Sequence, residues 1–136
     1  MIRAWTDLLE DPDKLNDLYL NTPELSNFEL AEVLISADEQ GLMIRGTFSN
    51  FPEARMPDWE DDANRLGVHL WLDHLQSFSV KGWSSALLVD LDILYHPGKG
   101  LIDCTILSKE ENFSLQAQGR ELRVEKIFAY RTEPVE

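Results

Sequence analysis

The sequence predicts an α+β fold: short N-terminal helices, then a mainly antiparallel β-meander closed as a sheet, a sandwich or a partly open barrel. Three observations predict it. Apolar residues recur at helical spacing over residues 3–20, their period shortens to two from residue 28, and turn residues then punctuate the chain about every ten positions.

The elements follow in order. Trp5, Leu8 and Leu9 are spaced i, i+3, i+4, and Leu15, Leu18 and Tyr19 repeat that spacing. Pro12 between them suits the first turn of a second helix with Asp11 as its N-cap, and Asn21-Thr22-Pro23 ends the helical cap, residues 1–22. An antiparallel β region is expected over 28–131. Leu30, Val33, Leu34 and Ile35 lead through the short turn Asp38-Glu39-Gln40-Gly41 into the alternating Leu42, Ile44, Gly46 and Phe48, which reads as a hairpin. Val68, Leu70 and Leu72 oppose His69, Trp71 and Asp73; Phe78 and Val80 follow, then Gly82 and Trp83. Leu87, Val89, Leu91 and Ile93 precede the turn His96-Pro97-Gly98-Lys99-Gly100. Ile102, Cys104 and Ile106, then Phe113, Leu115 and Ala117, then Leu122, Val124 and Phe128 complete about eight strands. One long loop, 49–67, breaks the rhythm with Pro52, Pro57 and the run Asp58-Trp59-Glu60-Asp61-Asp62. Segments of this kind in a compact chain are often functional surface.

At 136 residues the chain is sized for a single domain, 1–136. Its 43% hydrophobic content excludes wholesale disorder. The longest apolar run is Ala86-Leu87-Leu88-Val89, far below the roughly 20 residues that span a bilayer. Asp7, Glu10 and Asp11 stand where a secretory leader would be apolar, so a soluble cytoplasmic protein is expected. Cys104 has no second cysteine to pair with and reads as a small buried hydrophobe.

Charge narrows the function. The net charge is −13, and residues 1–62 hold fifteen acids against four bases. Nucleic acid and anionic membranes are disfavoured as partners, because their phosphates need cations to displace counterions. A basic protein partner is favoured, since opposite fields speed encounter.

Catalytic patterns are weak. His69 and Asp73 share a strand face but lie too far apart for a direct hydrogen bond, and Ser77 or Ser79 stands in no nucleophile turn. Asp90 and Asp92 read as the solvated face of a half-buried strand. Neither Asp58-Glu60-Asp61-Asp62 nor the pair His69 and His74 has metal-site spacing. No catalytic residue, metal or cofactor is therefore expected. Asp58, Trp59, Glu60, Asp61 and Asp62, with Phe51 and Glu53, are the expected partner-binding residues: acids at the rim, aromatic rings as anchors.

Four local patterns line up along the chain. They are Leu18-Tyr19 with Pro23 and Leu25; Phe51-Pro52-Glu53 with Pro57 and Trp59; Asn64 with Val68, Leu70 and Leu72; and Val80-Lys81-Gly82-Trp83. In this order, from about Trp5 to Tyr130, they resemble immunity protein family 50 of bacterial polymorphic toxin systems. The resemblance implies a non-enzymatic antidote that binds and blocks a cognate protein toxin, with Pro52, Pro57, Trp59, Gly82 and Trp83 as fold markers. That the toxin is basic, a nuclease for instance, follows from charge alone. The competing readings are a small-molecule-binding or hydrolytic module on a strand-rich cup, with His69, Asp73, Asp90 and Asp92 near its mouth, and a homodimeric scaffold.

Overall fold

The computed structural model describes residues 4–82, 88–110 and 112–132. Eight strands form one antiparallel sheet: β1 (Phe28–Ser36), β2 (Gly41–Thr47), β3 (Arg65–Asp73), β4 (Ser77–Gly82), β5 (Leu88–His96), β6 (Leu101–Ser108), β7 (Phe113–Gly119) and β8 (Glu121–Tyr130). Their order is β4-β7-β6-β5-β1-β2-β3-β8. Two meanders, β1-β2-β3 and β5-β6-β7, each receive an outer strand from the other half of the chain.

That exchange makes the sheet fold over on itself. β7 turns directly into β8, although the two strands lie in opposite halves of the order. The Arg120 amide donates to the Asp73 carbonyl at 2.9 Å, and the Gln76 amide to the Gln118 carbonyl at 2.7 Å, extending the β3–β8 and β4–β7 ladders up to the connections that cross between the halves. At the other corner, among the described residues, β1 and β5 pair at Phe28–Val89 and Glu29–Leu88. Between the halves lies one apolar core: Leu42 and Ile44 of β2, Leu66 to Leu72 of β3 at alternate positions, Val89 to Ile93, Ile102 to Ile106, Leu115, Ala117, Leu122 and Val124. The alternation read from the sequence is the inward face of β2, β3, β5, β6, β7 and the first half of β8, whereas Phe78 and Val80 of β4, Ile35 of β1 and Phe128 of β8 lie exposed.

The α+β expectation is overturned: the fold is all-β. Helical structure in the N-terminal segment shrinks to a 3-10 turn, Trp5–Leu8, and a single α-helical turn, α1 (Asp13–Asn16). Asp11 does not cap α1 either. Pro12 holds the cap position at φ −63°, and the Asp11 carboxylate pairs with Lys14 at 2.9 Å. Four-residue pieces interrupted by a proline cannot offset the cost of helix nucleation. Their apolar residues are buried all the same, because the segment works as an edge cover. Leu9 bridges Leu122, the Glu10 amide donates to the Leu122 carbonyl at 2.9 Å, and Lys14 Nζ donates to the Val124 carbonyl at 3.1 Å. These bonds satisfy the Leu122 and Val124 carbonyls at the start of the β8 edge. No helix among the described residues is long and apolar enough to cross a membrane.

Cys104 faces the core of β6 at 1% exposure. Burial, with the charges of Asp103 and Asp92, pushes its thiol up to about 12. Thiol-specific reagent at pH 8 is expected to leave the folded protein unlabelled and to modify one thiol per chain in denaturant, followed by absorbance of the released chromophore.

Candidate functional site

The connection from β2 to β3 spans residues 48–64, slightly shorter than the sequence suggested, and it is braced throughout. Pro52 is buried, and Phe51 and Trp59 are half-buried against the core with their rings 5.8 Å apart. Arg55 closes the loop from outside. Its guanidinium lies 5.0 Å from the Phe51 ring and donates to the carbonyls of Glu60 (3.3 Å) and Ala63 (2.7 Å). A second set of bonds ties the loop to residues 18–24. Tyr19 Oη donates to the Asn50 carbonyl at 2.7 Å, the Ala54 amide to the Leu18 carbonyl at 3.0 Å, and the Glu24 amide to Asn50 Oδ1 at 3.1 Å. Burial, with the nearby Glu53 charge, raises the Tyr19 phenol well above its ordinary value, so it stays a donor.

The seven expected binding residues therefore divide by role. Phe51 and Trp59 anchor the loop, with part of each ring left accessible. Glu53 is exposed but accepts the Leu20 amide at 2.7 Å. Asp58, Glu60 and Asp61 project outward and make no ion pair among the described residues. Asp62 pairs with Arg131 at 3.0 Å, both side chains more than half exposed, a contact of small energetic weight.

The acids of the first 62 residues do not gather on one face. Glu24 and Glu53 join the loop. Glu10 lies instead beside Glu121 at the start of β8, where their shared hydrogen bond leads in raising the Glu10 carboxyl. Asp38 and Glu39 occupy the β1–β2 turn at the far end of β2. The start and finish of β8 are separated by roughly 30 Å at ordinary strand rise, so the negative field has at least two centres.

The residues of the catalytic alternative are not brought together. His69 and Asp73 stay four positions apart on one face of β3, and Asp90 and Asp92 lie on β5 in the other half of the sheet. Asp73 binds Arg123 at 3.3 Å; burial raises its carboxyl, but the His74 amide, the Trp71 indole and the His74 and Arg123 charges outweigh it and hold it low. Lys109 at 3.0 Å, then the Asn27 amide at 3.1 Å, hold the Asp90 carboxyl below its usual range. Asp92 is exposed opposite Thr105. Ser77 and Ser79 face Gln118 and Gln116 on β4, away from every histidine pair described. Asp73, His74 and Glu121 bring three potential ligand atoms within 4.8 Å of one another, with His74 and Glu121 exposed. Trp83, the last fold marker, lies outside the described residues.

One contact escaped the sequence reading. His96 Nε2 meets the largely buried carboxylate of Asp103 across the β5–β6 hairpin. The signal was present: the turn 97–100 sets His96 opposite Leu101 and Leu94 opposite Asp103, so His96 and Asp103 become diagonal neighbours on the outer face. No third group of a nucleophilic triad accompanies them among the described residues.

No family model, curated protein or solved structure matches the chain.

Proposed function

We propose that this chain is a non-enzymatic, cytoplasmic immunity protein that binds and neutralises a basic protein toxin through the loop 50–62. The observation that carries this reading is a loop held rigid from within while Asp58, Glu60 and Asp61 point outward without cations. A surface carboxylate without a partner gains little for its own fold. A braced loop offers its charges to a partner with little ordering entropy left to lose on binding. The accessible parts of Phe51 and Trp59 would supply the apolar anchor inside an acidic rim, the arrangement in which aromatic side chains dominate binding energy. The resemblance to immunity protein family 50 supports the same reading. The docking surface is narrower than the whole acidic half, since Glu10, Asp11, Asp38 and Glu39 lie away from the loop.

The test is co-purification with the product of the adjacent gene. A stable complex at low salt, loosened as salt rises and protecting cells from that product, is the expected result. Absence of any complex at low salt would remove the proposal.

A further inference from the structure

The outer face of β2, β3 and β8 holds a cleft of about 250 Å³ whose lining runs against the charge of the rest of the chain. Ala31 and the Gly46 backbone are on one side, and Arg45, Thr47, His69, Phe128 and Tyr130 form the walls. Sequence makes the space. The β1 bulge between Leu30 and Glu32 places a small side chain, Ala31, at the rim. Gly67 lets the Phe128 ring lie across the strand, where a Cβ would collide with it.

The walls are aromatic and cationic together. His69 meets Phe128 edge-on at 5.7 Å, and Phe128 stacks on Tyr130 at 5.8 Å and 27°. Lys126 Nζ stands 5.4 Å from the Phe128 centroid. Arg45 gives Nη1 to Glu32 at 2.8 Å and turns Nε to the Met43 sulfur, while its Nη2 has no hydrogen-bond partner among the described residues. Thr47 Oγ1 and Tyr130 Oη are 2.7 Å apart, so one hydroxyl hydrogen fills that contact and the other is free to donate into the cleft. Burial first, then the positive charges of Arg45 and Lys126, lowers the His69 imidazole, against the opposing pull of Glu32 and Glu125. Arg45 and Lys126 thus place two cations beside a π surface, with Glu32 and Glu125 near enough to offset part of their charge.

We infer that this cleft binds an aromatic carboxylate, its ring against Phe128 and His69 and its carboxylate between Arg45 Nη2 and the free hydroxyl. Volume limits the ligand to about one ring, since a cavity of about 150 Å³ already holds benzene. A planar, singly charged acceptor suits one guanidinium edge and one hydroxyl better than a multiply charged phosphate does. Lys126 at the rim adds attraction without a directed bond. The site does not depend on the toxin-binding reading, which uses a different surface.

Titration of the full chain with benzoate, followed by amide and aromatic NMR shifts, tests the assignment. Saturable shifts at His69, Phe128 and Tyr130 with millimolar affinity are expected. Benzyl alcohol, which keeps the ring and loses the charge, should shift these signals far less. Arg45→Gln should weaken benzoate binding about tenfold, the loss of one charge-assisted contact, and Phe128→Leu should weaken it while preserving a dispersed spectrum. N-acetylphenylalanine extends the comparison: tighter binding than benzoate makes the natural ligand a peptide C-terminus, weaker binding makes it a free acid. Unsaturable or scattered shifts, equal response to benzyl alcohol, or unchanged affinity in folded Arg45→Gln would each overturn the site.

Discussion

Phe28→Ala is expected to lower the unfolding free energy by about 3–5 kcal/mol, since Phe28 is the largest fully buried side chain among the described residues. Phe28 is fully buried at the corner where β1 meets β5. Its ring occupies the space above Gly46, whose missing side chain is what lets the ring in. It also meets Phe48 edge-on at 5.8 Å and 74°, and Phe48 in turn contacts Tyr19 at 5.9 Å and Trp5 at 6.2 Å. One ring therefore links the sheet corner to the N-terminal segment. The cavity left by truncation has strands on two sides and cannot collapse without disturbing the Phe28–Val89 pairing of β1 with β5, which places the loss at the upper end for such changes. Gly46→Ala attacks the same contact from the other side. A methyl there collides with both the Phe28 ring and the Glu29 carbonyl, an overpacking expected to cost about 1–3 kcal/mol. Urea denaturation of both variants measures the two losses. A loss below about 1 kcal/mol for Phe28→Ala would mean that the corner is closed by other contacts.

Most strands were legible because they bury one face, and burial of one face writes period two into the residues; β4, exposed along its whole length, alternates without burying either face. Val68, Leu70 and Leu72 are all fully buried, and the opposing His69 and Asp73 are not. Even the irregular β1 was readable as a strand once its bulge is allowed for, since the bulge puts Leu30 and Val33 on the same side although they are three positions apart. Residues 5–19 misled for a physical reason. Their spacing satisfies a helical stripe, but what decides their conformation is the unpaired edge of β8, more than a hundred residues away. No local pattern carries that information. The exchange of outer strands between the two meanders is equally silent in the residues, because a short turn such as Arg120 looks the same whether it joins neighbours or crosses between halves.

The candidate site was legible in part for the same reasons. Two prolines and the broken alternation marked the loop, and Trp59 between two acids marked its anchor. What composition could not show is where the carboxylates go. Fifteen acids within 62 residues suggest one acidic face, yet extended strands carry their flanking charges to opposite ends. The aromatic cleft was hidden more deeply: Arg45, His69 and Tyr130 come from three strands and meet only through register.

That separation of charge turns the docking proposal into a sharp comparison. Asp58→Lys with Asp61→Lys is expected to slow association with the basic partner about tenfold at 0.1 M salt, with little change in dissociation. The control is Asp38→Lys with Glu39→Lys, which alters net charge identically at the far end of β2. The screening length is about 10 Å at 0.1 M salt, shorter than the seven-residue strand between the two regions. The control should therefore leave the on-rate nearly unchanged under those conditions. Stopped-flow or surface-resonance kinetics across a salt series reads both variants. Equal slowing by the two would mean that overall charge, not the loop, governs encounter; slowing by the turn variant alone would move the docking face to the opposite end. The loop pair is suited to this test because neither carboxylate holds the fold, whereas Glu53 and Asp62 each have an internal partner whose loss would confuse binding with stability.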